Sequence, residues 1–131
     1  MRSKTGLRQW RNTDSVIDWF VNLDRKKKLK FIQFDIESFY PSISKKVLLK
    51  SINFCKKFHD ISDLDIDIIM EARKTFLVSN GQKWVKKENP EIDVTLGAYD
   101  GAEISENVGL YLLSEIDKIE GIEAGLYGDD G

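Results

Sequence analysis

The sequence predicts an α+β domain in which a small antiparallel sheet is covered on one face by helices. Helix and strand signals alternate along the chain, which is typical of mixed architectures. An Asn80-Gly81 pair separates two short strand-like segments and favours a hairpin turn. The chain has 131 residues, of which 41% are hydrophobic and 32% charged, so it suffices for one folded domain and is not of disordered composition.

Elements of the first third are predicted from local patterns. Residues 14–24 form a helix in which apolar side chains recur at helical spacing, with Thr13 as its cap. Residues 29–36 are rich in β-branched and aromatic types and predict a buried strand. Pro41 then ends that strand, because proline lacks a donor and restricts the residue before it. The predicted inward face of the first helix comprises Val16, Ile17, Phe20 and Leu23.

The remaining elements have equally local signals. Ser44 is a good cap for the next helix, with Ile43 and Leu48 at the two positions of a hydrophobic staple. Ser62 and Asp65 form a capping-box pattern that starts a further helix through Leu64, Ile68, Ile69, Ala72 and Phe76. After the hairpin the sequence predicts a strand at 92–96, an amphipathic helix at 102–118 and a strand at 122–127. The expected buried stripe of that last helix comprises Ile104, Val108, Tyr111, Leu112, Ile116 and Ile119.

Charge divides the chain into two parts. Residues 1–30 contain nine basic and three acidic side chains, a net charge of +6, whereas residues 31–131 carry −8. We therefore predict a basic, helical N-terminal segment at 1–30 and a main domain at 31–131. A basic arm beside an acidic body is one way to hold a phosphate backbone next to a metal-binding carboxylate cluster, with Lys28 and Lys30 as candidates. The alternative is that these lysines form a solvated connector.

Other functional classes are excluded or disfavoured by composition. The single cysteine, Cys55, excludes an internal disulfide framework and a cysteine-based zinc site. No apolar run reaches the length of a membrane span, and the first residues lack the apolar stretch of a signal peptide. The sequence therefore predicts an intracellular protein without a membrane partner.

Two aspartate sites stand at the ends of predicted strands. Asp35 belongs to the strand at 29–36, and Asp129-Asp130 follows the strand at 122–127. An unpaired carboxylate against a buried strand is costly, and a divalent cation is one partner that removes the cost. Mg²⁺ prefers hard oxygen ligands, and two such ions can promote an in-line phosphoryl displacement. Asp-Asp-Gly is also an ordinary turn sequence, whereas a turn does not explain Asp35.

These motifs resemble those of reverse transcriptases of the mobile-element type. Residues 34–43 (FDIESFYPSI) resemble polymerase motif A, and residues 127–130 (YGDD) are similar to the Tyr-x-Asp-Asp motif C. Residues 97–113, led by Gly97, are similar in position and helical character to motif B. The resemblance runs from about residue 10 to the end of the chain with the motifs in the expected order.

The resemblance implies a polymerase palm and an RNA-directed DNA polymerase activity. It implies two Mg²⁺ ions, with Mn²⁺ as a substitute, and as partners an RNA or DNA template with its primer and deoxynucleoside triphosphates. It places the fingers and thumb outside this segment, so the 131 residues alone should be nearly inactive. The implied catalytic residues are Asp35, Asp129 and Asp130, which with the Ile36 carbonyl would bind metal; Phe39, Tyr40, Leu96 and Gly97 would contact nucleotide; Lys28, Lys30, Tyr127 and Gly128 would contact nucleic acid.

Some positions depart from the family pattern and leave alternatives open. Leu96 stands where reverse transcriptases usually carry glutamine, and residues 99–101 (YDG) replace the usual Ser-Pro. Tyr40 is either the aromatic that excludes a ribose 2′-hydroxyl or a core aromatic beside a proline turn, and Gly97 either admits the nucleotide or simply begins a turn. The competing functions are a family B DNA polymerase palm and a non-catalytic nucleic-acid-binding remnant.

Overall fold

The computed structural model describes residues 5–94 and 99–127. Helices and short strands alternate through this part of the chain, and a 3-10 turn spans Lys26–Lys28. In chain order the elements are β1 (Gln9–Trp10), α1 (Thr13–Val21), α2 (Phe39–Ser42), α3 (Lys45–Cys55), α4 (Asp63–Glu71), β2 (Leu77–Ser79), β3 (Gln82–Trp84), α5 (Gly101–Asp117) and β4 (Leu126–Tyr127). The mixed helices and small sheets agree with the α+β prediction at that coarse level.

The strands form two separate pairs, so the single antiparallel sheet predicted from the sequence is wrong for the described residues. β2 and β3 form the expected antiparallel hairpin around Asn80-Gly81, with Leu77 opposite Trp84. β1 and β4 pair in parallel, with Gln9 opposite Leu126 and a hydrogen bond from the Leu126 amide to the Arg8 carbonyl at 2.9 Å. The N-terminal segment therefore supplies the strand beside β4, a pairing across more than 100 residues that no local pattern predicts.

The core lies mainly between α3 and α5. Leu48 and Ile52 of α3 meet Ile104 and Val108 of α5, and all four side chains are buried. The segment 92–94 and Ile43 complete this cluster, and α4 adds partly buried side chains to it. Burial of this apolar surface is the main stabilising contribution to the described structure.

Of the three helix starts predicted from capping residues, those at Ser44 and Ser62 are confirmed. The predicted cap Thr13 is wrong: Asn12 caps α1, its side chain accepting a hydrogen bond from the Ser15 amide at 2.9 Å, and Thr13 is the first residue of the helix. The Ser44 hydroxyl accepts the Val47 amide hydrogen bond, and the staple residues Ile43 and Leu48 are almost completely buried. Ser62 and Asp65 form the reciprocal capping box at the start of α4. Hydrogen bonds from the Ser62 hydroxyl and amide hold the pKa of the Asp65 carboxyl below its usual range. This contribution to stability is present above the ordinary aspartate pKa and is lost as the pH falls through the lowered value.

The buried strand predicted at 29–36 is wrong. This segment pairs with no strand among the described residues, and every one of its side chains is exposed, Ile32 to 86% and Phe34 to 64%. The residue types suit a strand, but a strand also needs a hydrogen-bonding neighbour, which local composition does not supply. After it, Phe39–Ser42 form one short helical turn rather than only a break.

Several predicted apolar faces are also displaced. α1 ends at Val21 rather than at residue 24. Its Val16 and Trp19 are partly buried, as is Leu23 just after it, whereas Ile17 and Phe20 are about half exposed. Trp19 takes the inward position because its ring packs on Trp10, with centroids 4.9 Å apart. In α4, Ile69 of the predicted face packs against the core, whereas Leu64 (67%) and Ile68 are exposed. The helix ends at Glu71, before the predicted Phe76, which is also exposed.

The C-terminal elements are confirmed only in part. The predicted helix at 102–118 is α5, but it buries more than the predicted stripe because α3 and β4 contact it on different sides. Leu110 and Leu113 are buried, whereas Ile119 is half exposed. Residues 92–94 form no strand, the rest of the predicted strand at 92–96 lies outside the described residues, and only Leu126–Tyr127 of the strand at 122–127 is paired.

The helices described here include none with the length and apolar character required to cross a bilayer.

The core assignment predicts different effects for two leucines on neighbouring helices. Leu48→Ala removes a fully buried side chain and leaves a cavity, so we expect the free energy of unfolding to fall by about 2–5 kcal/mol. Leu64→Ala is the matched control: its side chain is 67% exposed, and we expect a change within about 0.5 kcal/mol. Urea unfolding followed by circular dichroism measures both, and equal losses would contradict the described core.

Candidate functional site

The residues implied by the motifs divide into two groups. The structure describes the first group, which comprises Asp35, Ile36, Phe39, Tyr40, Tyr127, Lys28 and Lys30. The second group lies outside the described residues and comprises Leu96, Gly97, Gly128, Asp129 and Asp130. The predicted convergence of Asp35 with Asp129 and Asp130 therefore stays a prediction.

Asp35 lies in the extended, exposed segment before α2. Its Oδ1 accepts a hydrogen bond from the Ile36 amide at 2.9 Å, which orients the carboxylate along its own backbone. Ser38 then adopts a left-handed conformation with φ of 51°, and its carbonyl accepts hydrogen bonds from both the amide and the hydroxyl of Ser42. This hydrogen-bonded turn follows Asp35 directly and joins its extended segment to the packed part of the protein.

The donor types at this position suit Mg²⁺. A carboxylate and the neighbouring Ile36 carbonyl are hard oxygen ligands, and Mg²⁺ commonly binds few protein carboxylates while keeping several waters. Within residues 5–94 and 99–127, no three acidic, histidine or cysteine side chains form a metal-binding group. The described residues thus provide one of the three predicted carboxylates.

Tyr40 connects the motif A turn to α5. Its ring is half-buried against the core, and its hydroxyl oxygen accepts a hydrogen bond from the Ser105 hydroxyl at 3.3 Å. Phe39 packs edge-on to the same ring, with centroids 6.1 Å apart. The Pro41 carbonyl accepts a hydrogen bond from the Asn89 side chain at 3.1 Å. The phenol is therefore held in place by side-chain contacts, as a packing residue and a nucleotide contact would both require.

The strand before motif C contacts α5 from another direction. Leu126 lies so close to Gly109 that a Cβ there would fall 2.9 Å from the Leu126 side chain. Gly125 lies against the indole of Trp10, where a Cβ would fall 2.2 Å from the ring. Small residues at 109 and 125 thus permit the close approach of α5, β4 and the N-terminal segment. Tyr127 ends β4 half exposed.

The predicted nucleic-acid contacts Lys28 and Lys30 are exposed and lie on the chain shortly before Asp35. Lys28 ends the 3-10 turn, which begins after Arg25 in a left-handed conformation. Exposed ammonium groups are compatible with a phosphate contact and equally with a solvated connector.

Arg73 is a site residue that the sequence reasoning missed. Its side chain is only 8% exposed and donates to the Asp100 carboxylate at 2.5 Å, at the start of α5. Its carbonyl accepts the Asp93 amide hydrogen bond at 2.7 Å. Arg73 thereby connects the end of α4, the buried segment 92–94 and the motif B helix. Helical spacing gives the available signal, because residue 73, two positions after the end of α4, continues the spacing of the partly buried Ile66 and Ile69.

Cys55 has no exposed surface for chemistry. It is buried in α3, and burial raises the pKa of its thiol, so the group stays protonated at neutral pH. It packs as a small apolar side chain.

Comparisons with protein-family models, curated proteins and solved structures find no match to this chain.

The Arg73–Asp100 pair predicts an asymmetric response to substitution. Asp100→Ala leaves the buried Arg73 guanidinium without its carboxylate partner, so we expect the free energy of unfolding to fall by about 2–3 kcal/mol. This loss is smaller than for a fully buried ion pair, because Asp100 is partly exposed to water. Arg73→Met should cost less, because the 37% exposed Asp100 can be hydrated once its partner is removed. Chemical unfolding of both variants measures the difference.

A matched control is the exposed pair between Lys74 and Glu71. Glu71→Ala should change stability by less than about 1 kcal/mol, since both side chains are more than half exposed. A loss as large as that of Asp100→Ala would contradict a special role for the pair at the start of α5.

Proposed function

We propose that this chain is part of the palm of a reverse-transcriptase-like polymerase that performs template-directed nucleotidyl transfer. The observation that carries the proposal is the ordered set of motif A, motif B and motif C residues at 34–43, 97–113 and 127–130. Motif A and motif C are separated by more than 80 residues, and Asp35 of motif A is an acidic side chain that a turn does not explain.

The contacts of α5 support the proposal. The motif A turn reaches this helix through Tyr40 and Ser105, and the strand that leads into motif C reaches it through Leu126 and Gly109. A helix that both segments contact would bring Asp35 and Asp129 towards each other, since Asp35 precedes Tyr40 by five residues and Asp129 follows Leu126 by three.

In this proposal the side chains have distinct tasks. Asp35, Asp129 and Asp130 provide the negative charge that binds divalent cations, and Tyr40 lies beside the sugar, where a flat ring excludes one additional oxygen. Arg73 is a positioning residue, because it holds the start of α5 through Asp100 without contacting the reacting atoms.

The bound ions would stabilise charge at the α-phosphate while a primer 3′-hydroxyl displaces pyrophosphate. Asp129 followed directly by Asp130 favours a reverse transcriptase over a family B polymerase, whose corresponding motif carries Thr-Asp-Ser. Primer extension by a longer chain on RNA and DNA templates distinguishes these two.

The metal hypothesis is tested on the 131-residue chain with Mn²⁺ as a paramagnetic substitute. We expect low concentrations of Mn²⁺ to broaden the backbone amide signals of residues 35–37 and of 129–130 together, because one cluster would bind the ion. Addition of a deoxynucleoside triphosphate should tighten binding. Asp35→Asn and Asp129→Asn should each weaken it at least about tenfold, the effect of losing about 1.4 kcal/mol.

Asp67→Asn is the matched control, since Asp67 is an exposed aspartate of α4 and lies outside the motifs. It should leave the titration unchanged. Broadening near Asp35 that is independent of the signals at 129–130 would contradict a shared site.

Activity of the isolated segment is a separate prediction. We expect the 131-residue chain to extend a primer weakly or not at all, because nucleotidyl transfer depends on the positioning of both substrates. The resemblance implies that the fingers and thumb, outside these residues, bind the primer–template duplex and the triphosphate. Primer-extension assays with Mg²⁺ measure this, and robust extension would contradict it.

A further inference from the structure

An open groove of about 310 Å³ lies between α3 and α5. Lys50 and Phe54 of α3, with Lys57 just after it, line one wall, and Tyr111 and Glu115 of α5, with Lys118 just after it, line the other. Three of these six side chains are cationic and two are aromatic. Of these six, only Tyr111 falls within a motif segment, near the end of the motif B helix, and none is one of the implied site residues.

Most of the groove lysines belong to a basic segment within the acidic part of the chain, residues 31–131. Residues 44–59 contain five lysines and neither aspartate nor glutamate, although the net charge of the chain is −2. Lys46 and Lys50 lie on one side of α3, about 6 Å apart along the axis by the helical rise, and Lys57 follows just after the helix ends. Lys56 pairs with Asp63, whereas Lys50 and Lys57 pair with no carboxylate among the described residues.

The one acid in the groove only partly neutralises it. Glu115 accepts a hydrogen bond from Lys118 at 2.5 Å. That hydrogen bond and, more weakly, the charges of Lys50 and Lys57 hold the pKa of the Glu115 carboxyl below its usual range. Glu115 is therefore ionised at neutral pH, and three lysines against one glutamate leave the groove with a net charge of +2.

The aromatic side chains complete the chemistry of the groove. The rings of Phe54 and Tyr111 meet at a tilt of 55° with centroids 6.2 Å apart, and both are only half-buried. The Lys57 ammonium lies 5.9 Å from the centre of the Phe54 ring. Cationic groups beside exposed aromatic surface are the combination with which proteins bind single-stranded nucleic acid, through the phosphates and the base faces.

We propose that the α3–α5 groove binds the backbone of a single-stranded nucleic acid, at a site separate from the carboxylate motifs. The groove volume is at the low end of about 300–1,000 Å³ for ligand pockets, so it holds one nucleotide unit while the strand continues along the lysines of α3. An anionic membrane is a poorer fit, because the apolar side of α3 at Leu48, Ile52 and Cys55 is buried in the core and unavailable for insertion.

The proposal is tested with a short fluorescent single-stranded RNA, Mg²⁺-free buffer and fluorescence anisotropy over a range of salt concentrations. The variant combines Lys50→Gln, Lys57→Gln and Lys118→Gln. Each lost phosphate contact should reduce the slope of log K against log salt by about 0.7, so the triple variant should lose about 2 units of slope. A second triple variant combines Lys74→Gln, Lys83→Gln and Lys87→Gln, exposed lysines outside the groove with the same total change in charge.

The control variant should retain most of the wild-type slope and affinity. Glu115→Gln should bind the RNA several-fold more tightly than the wild type, because it removes the only negative charge from the groove. Asp35→Asn should leave this Mg²⁺-free binding unchanged, so failure of the proposed metal site and failure of the groove are distinguishable. Circular dichroism confirms that each variant is folded.

Equal losses in the two triple variants would overturn the proposal, since binding would then reflect net charge alone. So would weaker binding by Glu115→Gln than by the wild type. Phosphatidylcholine vesicles with and without phosphatidylserine form a further arm. Groove-dependent binding to the phosphatidylserine vesicles without binding to RNA would assign the surface to a membrane instead.

Discussion

The packing of α3 against α5 is the constraint on which the other contacts depend. Leu48 and Ile52 meet Ile104 and Val108 with almost no exposed surface, and the buried segment 92–94 closes the same cluster. Because protein interiors are close-packed, this contact fixes the position of α5 relative to the chain around Tyr40. The same helix is contacted by the turn around Tyr40, by β4 and by Arg73 through Asp100. Loss of the α3–α5 contact would therefore disrupt both the contacts around Tyr40 and the basic groove.

The two ends of α5 have different chemical surroundings. Near its start, Asp100, Ser105 and Tyr40 form polar contacts beside the motif A turn. Near its end, Tyr111 and Glu115 face the lysines of α3 across the groove. A polymerase needs both a carboxylate cluster and surfaces that hold a polyanion, and these requirements conflict if they share one place. Under the proposed function, α5 would contact the turn around Tyr40 near its start and line the basic groove near its end.

Sequence reasoning succeeded where the determining interactions are local. The caps at Ser44 and Ser62, the Asn80-Gly81 hairpin and the extent of α5 depend on residues within one or two turns of each other. It failed where a distant partner decides. Residues 29–36 have the composition of a buried strand but no described neighbour, and the parallel pairing of Gln9 with Leu126 has no sequence signal. For the candidate site, the motifs indicate Asp35 and Tyr40. They do not indicate Arg73, because its burial depends on an ion pair with Asp100, which is 27 residues away in the sequence.

The central claim is that three acidic residues distant in sequence share divalent ions. An anomalous-scattering crystal structure of this chain with Mn²⁺ and a deoxynucleoside triphosphate is its most direct test. The account predicts a strong peak about 2.1 Å from carboxylate oxygens of both Asp35 and Asp129. A manganese ion bound by only one of these residues, or Asp35 on the opposite side of β4 from Asp129, would contradict it.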